Sequence, residues 1–377
     1  MTTTATATTI DMPRPTASLP AAADANIDNN QIRGPIGSGS DINAGFAVIV
    51  AELTRRGLLA GGLATTALAL GACADNDSSA TTPSAPKTQT IPTAYGPVRA
   101  PAEPTRVVCV DTYTISALLD VGYTPIGVGD GGRVFMLARY GSTYDRLPKV
   151  ASADDEINIE AVAALQPDLI LGVNYPYIAK ARSKLTSIAP TAVFTWDTSG
   201  DWRTMAAAAT AAVSHASQEN ALQARYRERA DQIKTTYADV LATTKVDLVT
   251  GGGGQAYVWL PGSGVAGVLK DAGVRLARAS AGPGVHATHA DQSSGFKALS
   301  YEQLDLLADA TEIITLADID GKIDPDSKAL TQQATFHRLP AAQAGHVDAV
   351  VNFFPFSYGQ ALAALDELAH VLERFPG

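Results

Sequence analysis

Apolar and polar positions alternate along most of the chain in short blocks that punctuation residues separate. Arg106–Val110 is a run of β-branched residues and predicts a buried strand. Thr114–Val121 predicts a short helix, and Pro125–Val128 a second strand followed by a glycine-rich turn. Asn158–Leu165 predicts a helix stopped before Pro167, Leu169–Gly172 a strand, Lys180–Ile188 a helix and Ala192–Thr195 a strand. Strands alternating with helices at this spacing predict a parallel sheet covered on both faces. The rhythm stops at Asp201. From there to about Leu241 the chain has neither Pro nor Gly, and apolar positions recur at helical spacing. One helix of roughly 40 residues would be about 60 Å long. No sustained apolar heptad makes it a coiled coil, so it reads as a bridge between two globular halves.

Beyond it the alternation resumes. Val246–Thr250 and Ala256–Trp259 predict strands, and the glycines from Gly251 to Gly254 predict a turn between them, since no Lys-Ser/Thr follows to make a phosphate loop. Gly264–Ala272 and Ser300–Ala308 predict helices, Glu312–Thr315 and His346–Val351 strands, and Tyr358–Phe375 a closing helix. The fold class is therefore α/β: two doubly wound α/β lobes joined by one long α-helix. The lobes occupy residues 95–200 and 244–377, and the bridge residues 201–243.

The first 94 residues follow other rules. Arg55 and Arg56 precede an apolar stretch from Gly57 to Leu70, and small residues lead to Cys73. This is an export signal in order, too short to span a membrane as a helix. Thr54-Arg55-Arg56-Gly57-Leu58-Leu59 resembles a twin-arginine signal, and Leu70-Gly71-Ala72-Cys73 resembles a lipobox. The resemblance implies cleavage before Cys73 and lipidation of its sulfur, which anchors the exported protein to the outer face of the cytoplasmic membrane. Residues 73–94, rich in Ser, Thr, Pro and Ala, read as a flexible tether. Residues 1–72 form the extension and signal. An n-region this long suggests that translation starts near Val48, Val50 or Leu53.

The chain has 377 residues, a net charge of -10 and two cysteines. The acidic balance argues against a nucleic-acid partner held through a general basic surface. Removal of residues 1–72 takes away four basic and five acidic residues and leaves about -9. With Cys73 lipidated, Cys109 stands alone in an apolar strand as a buried thiol, so no intramolecular disulfide and no cysteine-rich metal site follow.

Two lobes bridged by one helix, behind a lipoprotein signal, resemble the class III periplasmic-type solute-binding proteins of ABC importers. These carry ferric siderophores, haem or vitamin B12, with zinc and manganese relatives. The resemblance covers about residues 95–375. Asn158 to Leu171 resembles the family's N-lobe signature, and Phe336 to Val347 its segment before the last strand. It implies a monomeric binding protein with no intrinsic cofactor, whose ligand is an Fe(III)-siderophore chelate and whose protein partner is the importer permease. It also implies that Glu160 and Glu302, one per lobe, dock on permease arginines. Each also suits the first turn of a helix, behind the N-caps Asn158 and Ser300.

Ligands of doubly wound sheets sit beyond the carboxyl ends of the strands. Those loops carry Tyr113, Arg133, Arg139, Tyr140, Tyr175, Tyr177 and Trp196 in the first lobe. Trp259, His286, His289, Phe354 and Tyr358 lie in the second, and Arg338 in the family-like segment. Aromatic faces suit an aryl or macrocyclic ligand, and guanidinium forks suit the oxygens of an anionic chelate. His286 and His289 with Asp291 have zinc-ligand spacing, in a Gly- and Ser-rich loop that equally suits a lid. Neither Gly-x-Ser-x-Gly nor His-Glu-x-x-His occurs, which leaves a hydrolase without its usual signatures. A sensor of the same fold is the third reading.

Overall fold

The structure is a computed structural model, and it describes residues 87–152, 156–195, 202–282 and 295–375. It opens with an antiparallel hairpin of β1 (Thr88–Ile91) and β2 (Val98–Pro101). The predicted tether therefore ends earlier than expected. Its last residues are tied down because Gln89 Nε2 donates to Pro101 O at 3.0 Å and to Ala212 O at 2.7 Å, and because Ile91 is buried. The turn of the hairpin lies on the first lobe, where Ala94 N–H donates to Val193 O at 2.8 Å.

That lobe holds β3 (Val107–Cys109), α1 (Thr114–Asp120), β4 (Gly127–Gly129), α2 (Gly141–Arg146), β5 (Lys149–Ala151), α3 (Ile159–Ala164), β6 (Leu169–Val173), α4 (Pro176–Ile188) and β7 (Thr191–Phe194). The strands form a parallel sheet in the order β5-β4-β3-β6-β7. All residues of β3, β4, β6 and β7 are buried, as a sheet with helices on both faces requires. The strand order reverses between β3 and β6, so the crevice of this sheet opens where those two strands end.

The bridge differs from the expected single helix. It is three helices: α5 (Trp202–Ala212), α6 (Ala216–Thr236) and α7 (Ala238–Thr243). The 21 residues of α6 span about 31 Å, half the expected length. Helix α5 ends in a Schellman closure. His215 N donates to Thr210 O at 2.9 Å and Ser214 N to Ala211 O at 3.0 Å, with Ser214 left-handed at φ 63°. That position usually holds glycine; a serine there hides the break from the sequence. Helix α5 packs on α1, whereas α6 packs on α11 (Tyr358–Leu372).

The second lobe comprises β8 (Lys245–Gly252), β9 (Gln255–Trp259), α8 (Gly264–Asp271), β10 (Arg275–Leu276), β11 (Phe296–Leu299), β12 (Glu312–Leu316), α9 (Pro325–Thr331), α10 (Pro340–Gln343), β13 (Val347–Val350) and α11. Its sheet runs β11-β9-β8-β12-β13, with β10 added beside β8. Here the expected parallel sheet is mixed, because β9 is antiparallel to both β8 and β11. Gly253 and Gly254, at φ 55° and 77°, make the two-residue turn that reverses the chain, as the glycine run predicts. The stretch Ser300–Ala308 is a 3-10 turn over Tyr301–Leu307 rather than an α-helix.

One continuous apolar core joins the first sheet, the bridge and one face of the second sheet; a smaller core lies on the other face. The lobes are thus packed together through the bridge.

Candidate functional site

The site grows from the crevice at the end of β3. Asp111 is buried, and its Oδ1 accepts Tyr113 N at 2.7 Å, Thr114 N at 2.7 Å and Thr114 Oγ1 at 3.0 Å. These bonds satisfy donors at the start of α1 that have no helical partner. Burial pushes the Asp111 carboxyl up to about 6 while the donors of Thr114 and Tyr113 pull it down. Behind it, burial and the nearby Asp111 hold the Cys109 thiol far above its ordinary range, an inert state. The turn fixed by Asp111 sets the direction of Tyr113.

Tyr113 stacks on Tyr175, with ring centroids 5.5 Å apart, and Tyr175 stacks on Tyr177 at 6.1 Å. Tyr175 and Tyr177 follow β6, the strand across the crevice from β3. Burial raises the Tyr113 phenol strongly, and the neighbouring phenols of Tyr175 and Tyr177 raise it further. The Tyr113 phenol is therefore neutral. The edge of Phe356, from the second lobe, meets Tyr113 at 4.8 Å. Phe353 and Phe354 lie beside it after β13, and Trp259, at the end of β9, meets Phe354 at 4.7 Å and Phe353 at 6.1 Å. The indole Nε1 donates to Thr250 Oγ1 at 3.0 Å, which fixes the ring. Tyr113, Tyr175, Tyr177, Trp259 and Phe354 are each half-buried, so part of each ring reaches solvent. Rings from both sheets converge at the lobe boundary.

A search of known protein families matches residues 107–349 to the periplasmic binding protein family. The chain belongs to that family. Among structures similar to this periplasmic binding protein is the siderophore periplasmic binding protein from the fuscachelin gene cluster of Thermobifida fusca. It is 31% identical, with a TM-score of 0.64 over 73% of this chain and 98% of that one. Staphylococcus aureus SirA complexed with staphyloferrin B shares the fold at 19% identity and a TM-score of 0.61, over 76% of this chain and 99% of that one. The probable siderophore-binding lipoprotein YfiY of Bacillus subtilis is 30% identical over 46% of this chain. That match spans about half, 53%, of YfiY's length. A putative ABC transporter substrate-binding lipoprotein of the same organism, YhfQ, is 25% identical over 72% of this chain and 85% of its own.

Not every expected residue reaches the crevice of this binding protein. Tyr358 is buried elsewhere. Its hydroxyl bonds Gln223 at 2.6 Å and its ring meets Trp202 at 4.9 Å, because α11 turns its first residue toward the bridge. Arg139 and Tyr140 are engaged by Asp120. Arg139 Nη2 and the Tyr140 hydroxyl both donate to Asp120 Oδ1, at 3.1 and 2.9 Å, and Gly359 N donates to Oδ2 at 2.7 Å. The Asp120 carboxylate thereby ties α1 to the N-terminus of α11. A Cβ at position 359 would stand 2.2 Å from its oxygen, so any other residue there would push the carboxylate out of place. Arg338 is exposed in the 3-10 turn Phe336–Arg338 and makes no ion pair or cation-π contact among the described residues. Arg133 is half-exposed and bonds Asp145 at 3.0 Å. Its guanidinium lies over Gly141, close to Ile319 of the second lobe. Trp196, His286, His289 and Cys73 fall outside the described residues.

Phe353 and Phe356 were not singled out individually. The signal for them is Phe353-Phe354-Pro355-Phe356, three phenylalanines in four residues of a chain that is 6% aromatic.

Glu160 and Glu302 occupy matching places. Glu160 is in the first turn of α3, which leads to β6, the partner of β3; Glu302 is in the first turn of Tyr301–Leu307, which leads to β12, the partner of β8. Asn158 Oδ1 caps α3 by accepting Ala161 N at 2.9 Å, and Gln303 Oε1 reaches back to accept Ser300 N at 3.1 Å. Both glutamates are exposed and lack an ion-pair partner among the described residues.

Proposed function

We propose that the protein captures a ferric siderophore between its lobes and delivers it to an ABC importer permease. The observation that carries this reading is the ring system Tyr177–Tyr175–Tyr113–Phe356 opposite Trp259–Phe354, at the carboxyl ends of both sheets. The names of the relatives support the cargo class. Phenols and an indole contact the organic shell of a chelate through the exposed parts of their rings and through their hydroxyls. Arg133 supplies the cation, since its pair with Asp145 is half-exposed and exchanges readily for a stronger anion. Lobes that share one core favour a preformed cleft with little closure.

Release follows docking. Glu160 and Glu302 present one carboxylate from each lobe to the permease, and Cys73, lipidated, keeps the protein on the outer face of that membrane. The protein works as a monomer and carries out no bond-making step.

Tryptophan fluorescence titrated with ferric catecholates, hydroxamates and citrates tests the cargo. One chelate should quench with sub-micromolar affinity, and Tyr113→Ala should weaken it at least tenfold. Quenching by haem or cobalamin in place of every ferric siderophore would overturn the cargo. Charge reversal at Glu160 and Glu302 should abolish uptake and leave chelate affinity unchanged; loss of affinity would refute the docking role.

A further inference from the structure

A second cleft, of about 430 Å³, lies outside the ring system. The β1–β2 hairpin forms one side, with Thr93, Tyr95 and Arg99; α4 and the start of β7 form the other, with Arg182, Thr186 and Thr191. The Arg182 guanidinium stacks over the Tyr95 ring at 4.6 Å, and Arg99 Nε donates to Thr88 Oγ1 at 3.0 Å. Neither arginine meets a carboxylate among the described residues. Tyr95 is 45% exposed, the one exposed large hydrophobic side chain among the described residues.

The surrounding charge is unusual for this chain. Acids outnumber bases 38 to 28 overall, yet residues 87–101 and 174–195 hold Lys87, Arg99, Lys180, Arg182 and Lys184 and no acid at all. Both segments meet at this cleft. Of these bases, Arg99 and Arg182 line the cleft itself, so its mouth is cationic on an anionic protein.

We propose that this cleft holds the phosphate of an anionic membrane lipid, so that the first lobe rests on the membrane by this flank when it is not docked. Two guanidiniums suit a phosphate diester, and they are its donors here, because the hydroxyls of Thr93, Thr186 and Thr191 already donate to backbone carbonyls. A half-exposed tyrosine beside them suits the headgroup layer, where its ring has an apolar side and its hydroxyl a wet one. Basic residues near an anionic leaflet add attraction that salt screens. The proposal rests on the membrane-anchored reading of Cys73. Anchoring supplies nearness to the membrane, and the cleft supplies an orientation. Lipid contact through this flank is a resting pose, to be exchanged for the pose in which Glu160 and Glu302 face the permease.

The test uses the chain from position 73 with Cys73→Ser, which keeps every described element and removes the anchor. Co-sedimentation with phosphatidylglycerol vesicles should show binding, falling at least fivefold between 50 and 300 mM salt, with none on phosphatidylcholine vesicles. Arg99→Gln with Arg182→Gln should lower it about tenfold or more. Tyr95→Ala should lower it by less, with chelate affinity unchanged in both as proof of fold. Lys270→Gln, a cation on another helix, should leave it unaltered. Equal binding to both vesicles, or no effect of the double substitution, would overturn the proposal. So would binding of inorganic phosphate, sensitive to the double substitution, without vesicle binding, which would make the cleft a site for a free oxyanion. The anchor itself is read separately, from the membrane fraction of the native precursor against Cys73→Ser: loss of anchoring with retained vesicle binding supports both ideas, and a native precursor that is never membrane-bound sinks the anchor alone.

Discussion

The two lobes are built on related sheets, but they treat buried acids differently. In the first, the inner strands are apolar, Val-Val-Cys in β3 and Leu-Ile-Leu-Gly-Val in β6. The acid that follows β3, Asp111, is surrounded by backbone and hydroxyl donors. In the second, the matching strands carry acids inside them. Asp247 of β8 receives Ser280 N at 2.8 Å on one oxygen and leaves Oδ2 without a partner among the described residues; Glu312 of β12 leaves Oε1 without one among them. Burial raises Asp247 to about 7, and burial with the nearby Asp348 raises Glu312 to about 9. An acid used as a cap organises a binding loop and its donors hold it near 6; an acid threaded into a strand has fewer donors, rises to about 7 or 9, and carries the pH sensitivity of its sheet past neutrality.

The comparison can be broken at three places. The largest effect is expected at Asp111→Ala. It strands the N–H groups of Tyr113 and Thr114 in a buried turn and should cost about 2–4 kcal/mol in urea unfolding, with Tyr113 displaced from its stack and chelate affinity reduced. A loss below about 0.5 kcal/mol would mean that the cap is dispensable.

Next comes the pH dependence of the second lobe. Asp247 and Glu312 are raised above their ordinary values, so the stability linked to them is complete near pH 4. It is lost as pH rises through about 7 for Asp247 and about 9 for Glu312. Thermal unfolding should therefore show a smaller fall from pH 5 to pH 8 in Asp247→Asn than in the native chain, by about 1–2 kcal/mol. An unchanged slope would remove Asp247 from the account.

The smallest effect is expected at Arg374→Met. Arg374 faces Glu312 at 3.4 Å and also pairs with Asp348, but it is 42% exposed. Its loss should cost less than about 1 kcal/mol at pH 8, where Glu312 is still largely protonated, and more as pH rises through about 9 and Glu312 ionises. A cost that does not vary with pH would assign Arg374 a packing role.

The same contrast explains how far the sequence could be read. Apolar runs such as Leu169–Gly172 and the cap at Asn158 give nearly correct elements, because local chemistry decides them. The hairpin Thr88–Pro101 has no such signal. Its strands are polar, and they hold through Gln89 and Ile91, whose partners lie far along the chain. The break at Ser214 lacks the glycine that would announce it. In the site, the loops were legible from fold class, and the aromatics in them were too. The aim of each side chain was not. Arg139, Tyr140 and Tyr358 turn away from the crevice because Asp120 and Gln223 hold them, and those partners are up to 135 residues distant.

The hairpin that rests on Val193 has a consequence for life among neighbours. Strand β7 ends the first sheet, and an open strand edge is a template on which a second molecule can add its own strand. Through Ala94 the turn of the hairpin takes up one outward carbonyl of that edge, Val193 O, and leaves less of it open to a strand from a second molecule.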